Sequence, residues 1–381
     1  MNKKILIAAS NYWTSPYQVG SHHYARLFVK NGWEVLFISD PISPLHFLMK
    51  NKNQLKERYS IYKGEISSGT SNIKIYVPMA LITPNEKPLF NSNFAAFKWS
   101  KLTFPNLKKY IENSGFGEVD ILWFDSVLQS FLIDEIKYKK SILRLADRVE
   151  SFKKISPGLI KAADKLKDKA DIIIYAAKSL EDYVKNYKTK SFFIPNGVDF
   201  SHFLGRSAGS IPEDLKSIPK PIAIYIGAIN EWFGFDLLFD VCKKCHDVSF
   251  IIIGEPSVDT SKLKNLPNLY FLGKKPYNSI PDYLYNSDVG IIPFNINHPV
   301  VDTVNPIKLY EYMACGLPVV SVSWQELKLL ASPAFLAGSA DDFAAKIYSA
   351  TSGGKKKEYI DFAKKNSWDK RFEEIIRIYN N

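Results

Sequence analysis

Asn305-Pro306-Ile307-Lys308-Leu309-Tyr310-Glu311-Tyr312-Met313-Ala314-Cys315-Gly316-Leu317-Pro318-Val319-Val320 reads as a helix that opens on a polar site and hands the chain to a buried strand. Asn305 suits the N-cap and Pro306 the first helical position. The first-turn amides have no intrahelical partners and sit at the positive end of the dipole, which makes an anion site. Lys308 and Glu311 are three residues apart and share one face. Gly316 allows a left-handed cap, and Pro318 blocks continuation. Val319 to Val322 then reads as a strand. Such a helix start can hold a nucleotide, the lysine on phosphate and the glutamate on ribose hydroxyls. An ordinary amphipathic helix before a strand would require neither charge at these positions.

Outward from this stretch, strands and helices alternate, which implies parallel sheets with helices on both faces. Strands are expected at 4–9, 34–39, 73–77, 119–124, 141–145, 171–175 and 192–194, and again at 222–226, 249–253, 269–272 and 288–293, with Ala334-Phe335-Leu336 following the signature helix and its strand. Helices are expected at 21–31, 93–113 with a break at Pro105, 127–138, 156–169, 179–187, 235–245 and 280–286, with two more near the C-terminus before an amphipathic segment from Trp368 to Tyr379. Residues 45–58 form a basic amphipathic piece. Pro195-Asn196-Gly197-Val198-Asp199 is a turn, since Asn-Gly supplies positive φ at little cost. Residues 203–220 read as a linker.

A chain of 381 residues suits two domains, and 46% hydrophobic with 23% charged residues is globular. The three cysteines, Cys242, Cys245 and Cys315, give no disulfide framework and suit a reducing compartment. Cys242 and Cys245 form a C-x-x-C late in an amphipathic helix with no second pair, which argues against zinc. The apolar run Ile5–Ala9 is too short for a signal peptide or for a span of ~20 residues. Residues 1–200 hold 30 Lys and Arg against 19 Asp and Glu, so the whole excess of +11 lies in the first half. That excess suits anionic headgroups, nucleic acid or an anionic glycan, or else a solvated lysine-rich surface.

Pro306, Lys308, Glu311, Ala314, Gly316, Pro318, Val319 and Val320 resemble the P-x-K-x-x-E-x-x-A-x-G-x-P-V-V signature of GT-B glycosyltransferases, in particular family 4. The turn Pro195–Asp199 resembles the P-N-G-V-D turn that closes their N-terminal domain. Arg144-Leu145-Ala146-Asp147 is similar to the segment holding the proposed catalytic aspartate in the xanthan-type glucuronosyltransferase, an inverting GT-B enzyme. The resemblance implies an α/β GT-B fold with two Rossmann-like domains facing across a cleft. Residues 1–200 with a returning helix 367–381 would form the acceptor domain, and 206–366 the nucleotide-sugar domain.

Open parallel sheets bind ligands at the carboxyl ends of their strands. Gly227, Lys274, Asn305, Lys308 and Glu311 are the donor-binding candidates. A glycine after the first strand lets backbone approach phosphate. Family 4 enzymes usually carry a basic residue just after that glycine, whereas Gly227 to Phe233 holds none. Their second glutamate, eight residues before the first, is Thr303 here with Asp302 beside it, and this tilts the reading towards inversion. Trp232 and Phe233 line the cleft or belong to the core. Asp147 is the candidate general base, or else a helix cap or partner for Arg148, with Glu150 next in line. His22 and His23, behind Gly20-Ser21, are the other candidates, since a histidine titrates near the working pH.

The resemblance thus implies a metal-independent glycosyltransferase without a cofactor. It would act on a nucleotide diphosphate sugar and a lipid-linked or polysaccharide acceptor in cell-surface glycan synthesis, in the cytoplasm at the inner face of the membrane. A nucleotide-sugar 2-epimerase shares the fold and is the alternative. No recognition helix, zinc motif or stacked aromatics point to nucleic acid, and no G-x-G-x-x-G points to a nicotinamide dehydrogenase.

Overall fold

The computed structural model describes residues 2–48, 52–84, 92–151, 155–187, 189–204 and 211–381. The chain divides into two compact units, residues 1–194 with 376–381, and residues 195–375.

The first unit carries β1 (Lys4–Ala9), β2 (Glu34–Ser39), β3 (Ile73–Tyr76), β4 (Met79–Ala80), β5 (Thr103–Phe104), β6 (Glu118–Phe124), β7 (Lys137–Leu145), β8 (Ile172–Tyr175) and β9 (Lys190–Phe193). Seven of them form one parallel sheet in the order β3-β2-β1-β6-β7-β8-β9, while β4 and β5 pair antiparallel apart from it. Ile5 to Ala9 are wholly buried, because a parallel sheet covered on both faces needs unbroken apolar runs. The last six residues of the chain group with this unit. There Lys140 Nζ donates to the Tyr379 carbonyl at 2.6 Å, and the Tyr379 ring meets Trp33 edge-on.

The second unit carries β10 (Ile222–Ile226), β11 (Ser249–Ile253), β12 (Leu269–Gly273), β13 (Val289–Ile292), β14 (Val319–Val322) and β15 (Phe335–Ala337). Their order β12-β11-β10-β13-β14-β15, all parallel, is the doubly wound Rossmann pattern, with its switch point between β10 and β13. The helix Ile307–Ala314 lies on this sheet. A Cβ on Gly290 would stand 2.3 Å from the Tyr312 ring, so glycine in β13 lets that ring rest on the strand. The chain is thus α/β with two Rossmann-like domains.

Several elements differ from the sequence expectation. The helix expected at 127–138 is only a short turn at Val127–Gln129 and one at Leu132–Glu135. By Lys137 the chain already pairs with Glu118, and the lysines of Lys137-Tyr138-Lys139-Lys140 disguise a strand whose early half alternates between exposed and half-buried residues. The break expected at Pro105 within 93–113 is present and longer than a kink: the stretch holds two helices, Asn93–Lys98 and Leu107–Asn113, because Thr103 and Phe104 between them pair with β4. Gln325–Leu329 is a short helix with no sequence counterpart. In the expected linker, Leu215 and Ile218 are buried in the second core, and residues 205–210 lie outside the described residues.

Contacts place the division of the chain at 194/195 and 375/376, not at 200 and 367. The turn at 195–199 is held to the junction before the last helix. Val198 N–H donates to the Asn366 carbonyl at 3.1 Å, and Trp368 N–H donates to the Val198 carbonyl at 3.0 Å. A Cβ on Gly197 would meet Trp368 N at 2.9 Å, so only glycine fits this crossing.

Candidate functional site

In the second unit, the ends of β10, β11 and β12 each carry a glycine with positive φ: Gly227, Gly254 and Gly273. They are tied backbone to backbone. Gly227 N–H donates to the Ile253 carbonyl at 2.9 Å and Gly254 N–H to the Gly273 carbonyl at 3.0 Å. A Cβ on Gly254 would lie 2.0 Å from the Gly227 carbonyl oxygen. The result is a side-chain-free backbone edge at the sheet rim.

The helix Ile307–Ala314 brings its first turn to this edge. Its N-cap is Pro306, with no side-chain cap bond, so Asn305 is not the cap that its residue type suggests. Asn305 is buried instead. Its Oδ1 accepts from the Tyr310 hydroxyl at 3.0 Å, its Nδ2 reaches Glu326 at 3.5 Å, and its carbonyl accepts from Asn196 Nδ2 at 2.7 Å. Its side chain therefore fixes the approach to the helix.

Lys308 is half-buried against Gly227, where an added Cβ would meet Lys308 Cε at 3.2 Å. Its Nζ stands 4.8 Å from the Phe294 ring centre and 5.4 Å from that of Tyr225. Burial pulls this amine down to about 8, opposed by Glu311. Burial pushes Glu311 up to about 7, opposed by Lys308 and reinforced by Asp199. Among the described residues, neither group makes a hydrogen bond or ion pair. Two unsatisfied, partly desolvated charges of opposite sign at a bare backbone edge can hold a phosphate and a hydroxyl pair at once.

Lys274 follows β12 and is exposed, whereas Lys275 is spent on Asp214 at 2.5 Å. Phe233 belongs to the core, and Trp232 is half-buried beside His298. Thr303 is buried and Asp302 exposed. Burial raises the thiols of Cys242 and Cys245, so both are inert. Among the described residues no group of three His, Cys, Asp or Glu side chains is arranged to hold a metal.

Sequence reasoning missed Tyr312, Phe294 and Gly254. Gly254 repeats the strand-then-glycine signal of Gly227. Tyr312, four residues after Lys308, reads simply as helix core.

In the first unit, Asp147 stands two residues beyond β7, half-buried. Burial raises its carboxyl to about 6 against the pull of Arg144. It has no hydrogen bond among the described residues. Arg144 is buried, donates to Asp125 at 3.4 Å and lies on Gly20, where a Cβ would meet its Cζ at 2.7 Å. Arg144 thus links Asp147 to the start of the helix Gly20–Lys30. Glu150 accepts from the Tyr183 hydroxyl at 2.8 Å and is exposed.

His22 is fully buried. Its Nδ1 accepts the Val19 N–H at 3.3 Å, so its Nε2 carries the proton that goes to the Tyr12 carbonyl at 3.0 Å. Burial lowers it to about 4. With both nitrogens engaged it has no lone pair for an acceptor proton. The base role read for it from sequence gives way to a structural one.

Residues 6–176 match the N-terminal domain of the glucuronosyltransferase GumK, and residues 220–352 match glycosyl transferases group 1. Each half of the chain thus matches a domain described from glycosyltransferases. TuaH of Bacillus subtilis (strain 168), named as a teichuronic acid biosynthesis glycosyltransferase, is 24% identical over 179 residues, 46% of this chain. The match spans 44% of TuaH, less than half of that relative's length. Among solved structures, sucrose-phosphate synthase from Thermosynechococcus elongatus superposes at a TM-score of 0.72 with 13% identity, over 100% of this chain and 98% of its own. HepE of Anabaena, solved in complex with UDP and glucose, superposes at 0.68 with 15% identity over 100% of both chains. At such identities the likeness of these GT-B structures is one of fold.

Proposed function

We propose that the protein moves a sugar from a nucleotide diphosphate sugar to a lipid-linked or polysaccharide precursor in cell-surface glycan synthesis, with inversion and without a metal ion. The second unit takes the donor. Lys308 and the first-turn amides meet the diphosphate, Glu311 accepts from the ribose hydroxyls, and the backbone at Gly227 and Lys274 completes the cradle. The first unit takes the acceptor. Asp147 removes the proton of the acceptor hydroxyl as its oxygen attacks the anomeric carbon, and the nucleotide diphosphate leaves with the bonding pair. The enzyme works in the cytoplasm at the inner face of the membrane.

One observation carries this reading. Lys308 and Glu311 make no hydrogen bond or close ion pair among the described residues, and they stand beside a strand end where Gly227 has a positive φ and carries no side chain. The UDP and glucose bound by HepE and the teichuronic acid role in TuaH's name support the substrate class. A base titrating at about 6, like Asp147, is matched to proton removal near neutral pH. Losing a leaving-group contact such as Lys308 costs roughly 10²–10³ in rate.

The test is nucleotide release from a panel of nucleotide diphosphate sugars, with and without a pool of lipid-linked saccharides. Release that requires the acceptor, and falls in both Lys308→Ala and Asp147→Asn, supports the proposal. Conversion of the sugar with no acceptor present would replace it with a 2-epimerase.

A further inference from the structure

Ten large apolar side chains stand exposed among the described residues, and the four in the first unit are Leu45 (37%), Phe47 (44%), Leu81 (51%) and Phe104 (62%). All four sit on three segments that the backbone joins. Ile42 bridges Met79, and Ala80 N–H donates to the Ile42 carbonyl at 2.8 Å. Met79 pairs with Phe104, and Leu81 N–H donates to the Leu102 carbonyl at 2.9 Å. The segment 42–48 follows β2 and the segment 79–81 follows β3. The cluster therefore stands at the carboxyl-end rim of the same sheet that carries Asp147 beyond β7. It lies beside a small separate core of Tyr12, Ile42, Leu55, Ile61 and Val77. Scattered exposed leucines need no explanation, but a cluster that gathers every such residue of a unit marks an interaction surface.

The stretch of sequence that carries these side chains is strongly basic. Residues 45–110 hold 11 Lys and Arg against 3 Asp and Glu, so +8 of the chain's +11 falls on this segment. Lys56, Lys98, Lys101, Lys108 and Lys109 are exposed, and none has an ion-pair partner among the described residues. Lys98 and Lys101 lead directly into β5, which carries Phe104.

We infer that this face docks the protein on an anionic lipid bilayer, with Phe47, Leu81 and Phe104 entering the interface and the lysines resting on headgroups. Large apolar side chains amid unpaired lysines are the two signals that peripheral membrane binding combines. Nucleic acid would use the lysines but has no place for two leucines. The inference rests on the proposed lipid-linked acceptor, because the patch shares its rim with the proposed base and would bring that acceptor within reach.

Vesicle flotation of the full chain tests it, using phosphatidylglycerol mixed with phosphatidylcholine against phosphatidylcholine alone. The protein should float with the anionic vesicles roughly tenfold more strongly than with neutral ones. Binding should weaken at about 1 M salt, where the screening length falls to about 3 Å. The double variant Leu81→Ser, Phe104→Ser should lose roughly tenfold in binding with an unchanged melting temperature, and Lys98→Glu, Lys101→Glu should lose about as much at low salt. Undiminished flotation of either double variant would overturn the inference, as would binding of duplex DNA by a chain that ignores vesicles. Sugar transfer to a detergent-dispersed acceptor separates the two claims. If transfer occurs without vesicle binding, docking fails and the proposed activity stands; if vesicles bind without transfer, the reverse holds.

Discussion

The Tyr312 hydroxyl accepts the backbone N–H of Ile226 at 2.7 Å, tying the helix of Lys308 and Glu311 to the last residue of β10. Lys308 and Tyr312 are four residues apart on one helix face, so this bond sets where the lysine stands over Gly227. Tyr312 is wholly buried. Tyr312→Phe would leave the Ile226 N–H without that acceptor and should cost about 1–3 kcal/mol in urea unfolding. Nucleotide affinity should fall with it, as Lys308 and the Gly227 loop are no longer held in register.

The paired glycines behave differently from each other. Gly254→Ala would place a Cβ 2.0 Å from the Gly227 carbonyl oxygen, a backbone atom that cannot move without breaking the rim. Gly227→Ala would press on the Lys308 chain at 3.2 Å, and a flexible side chain can yield. Both positions have positive φ, which strains any alanine. Gly254→Ala should lower the melting temperature more, while Gly227→Ala should remain folded and lose nucleotide binding, as calorimetry of both variants would record.

Glu311 gives up stability for its place in the site. Its carboxyl rises from 4.5 to about 7 on folding. A raised carboxyl binds more protons folded than unfolded, so its contribution is fully present below pH 4.5 and is lost as pH rises through about 7. Glu311→Gln should therefore be more stable than the parent at neutral pH, with the gap closing as pH falls towards 4.5. The same variant should bind nucleotide diphosphate at least roughly tenfold more weakly, since one charge-assisted hydrogen bond contributes about that much. Equal stability at all pH values would mean that Glu311 is not desolvated.

Asp147 and His22 separate chemistry from architecture. With Asp147 as base, kcat/KM should rise with pH through about 6 and then level. Asp147→Asn should remove that limb and roughly 10²–10⁴ of the rate. His22 packs 5.2 Å from Phe37 and 5.8 Å from Trp13, ring centre to ring centre. His22→Ala should cost about 2–4 kcal/mol of stability and leave the pH profile in place.

Much of the architecture was legible because parallel strands covered on both faces must be apolar, as at Ile5–Ala9 and Ile222–Ile226. The signature helix was legible for a different reason, since core packing requires neither Lys308 nor Glu311. What stayed hidden was tertiary in origin. Lys137-Tyr138-Lys139-Lys140 looks like the end of a helix until its partner strand β6 is known. Asn305 has the residue type of a cap, yet Tyr310, Glu326 and Asn196 engage it first. His22 looks available until Val19 and Tyr12 occupy both its nitrogens. In each case a specific partner in the folded chain overrides a sound local preference.

The central claim is that Lys308 and Glu311 hold a nucleotide diphosphate, and calorimetric titration of UDP, GDP, dTDP and ADP into the full chain tests it most directly. One diphosphate should bind, and Lys308→Ala and Glu311→Ala should each weaken it roughly tenfold or more while the fold stays intact. Absence of binding by every diphosphate, or identical affinity in the parent and both variants, would contradict the account.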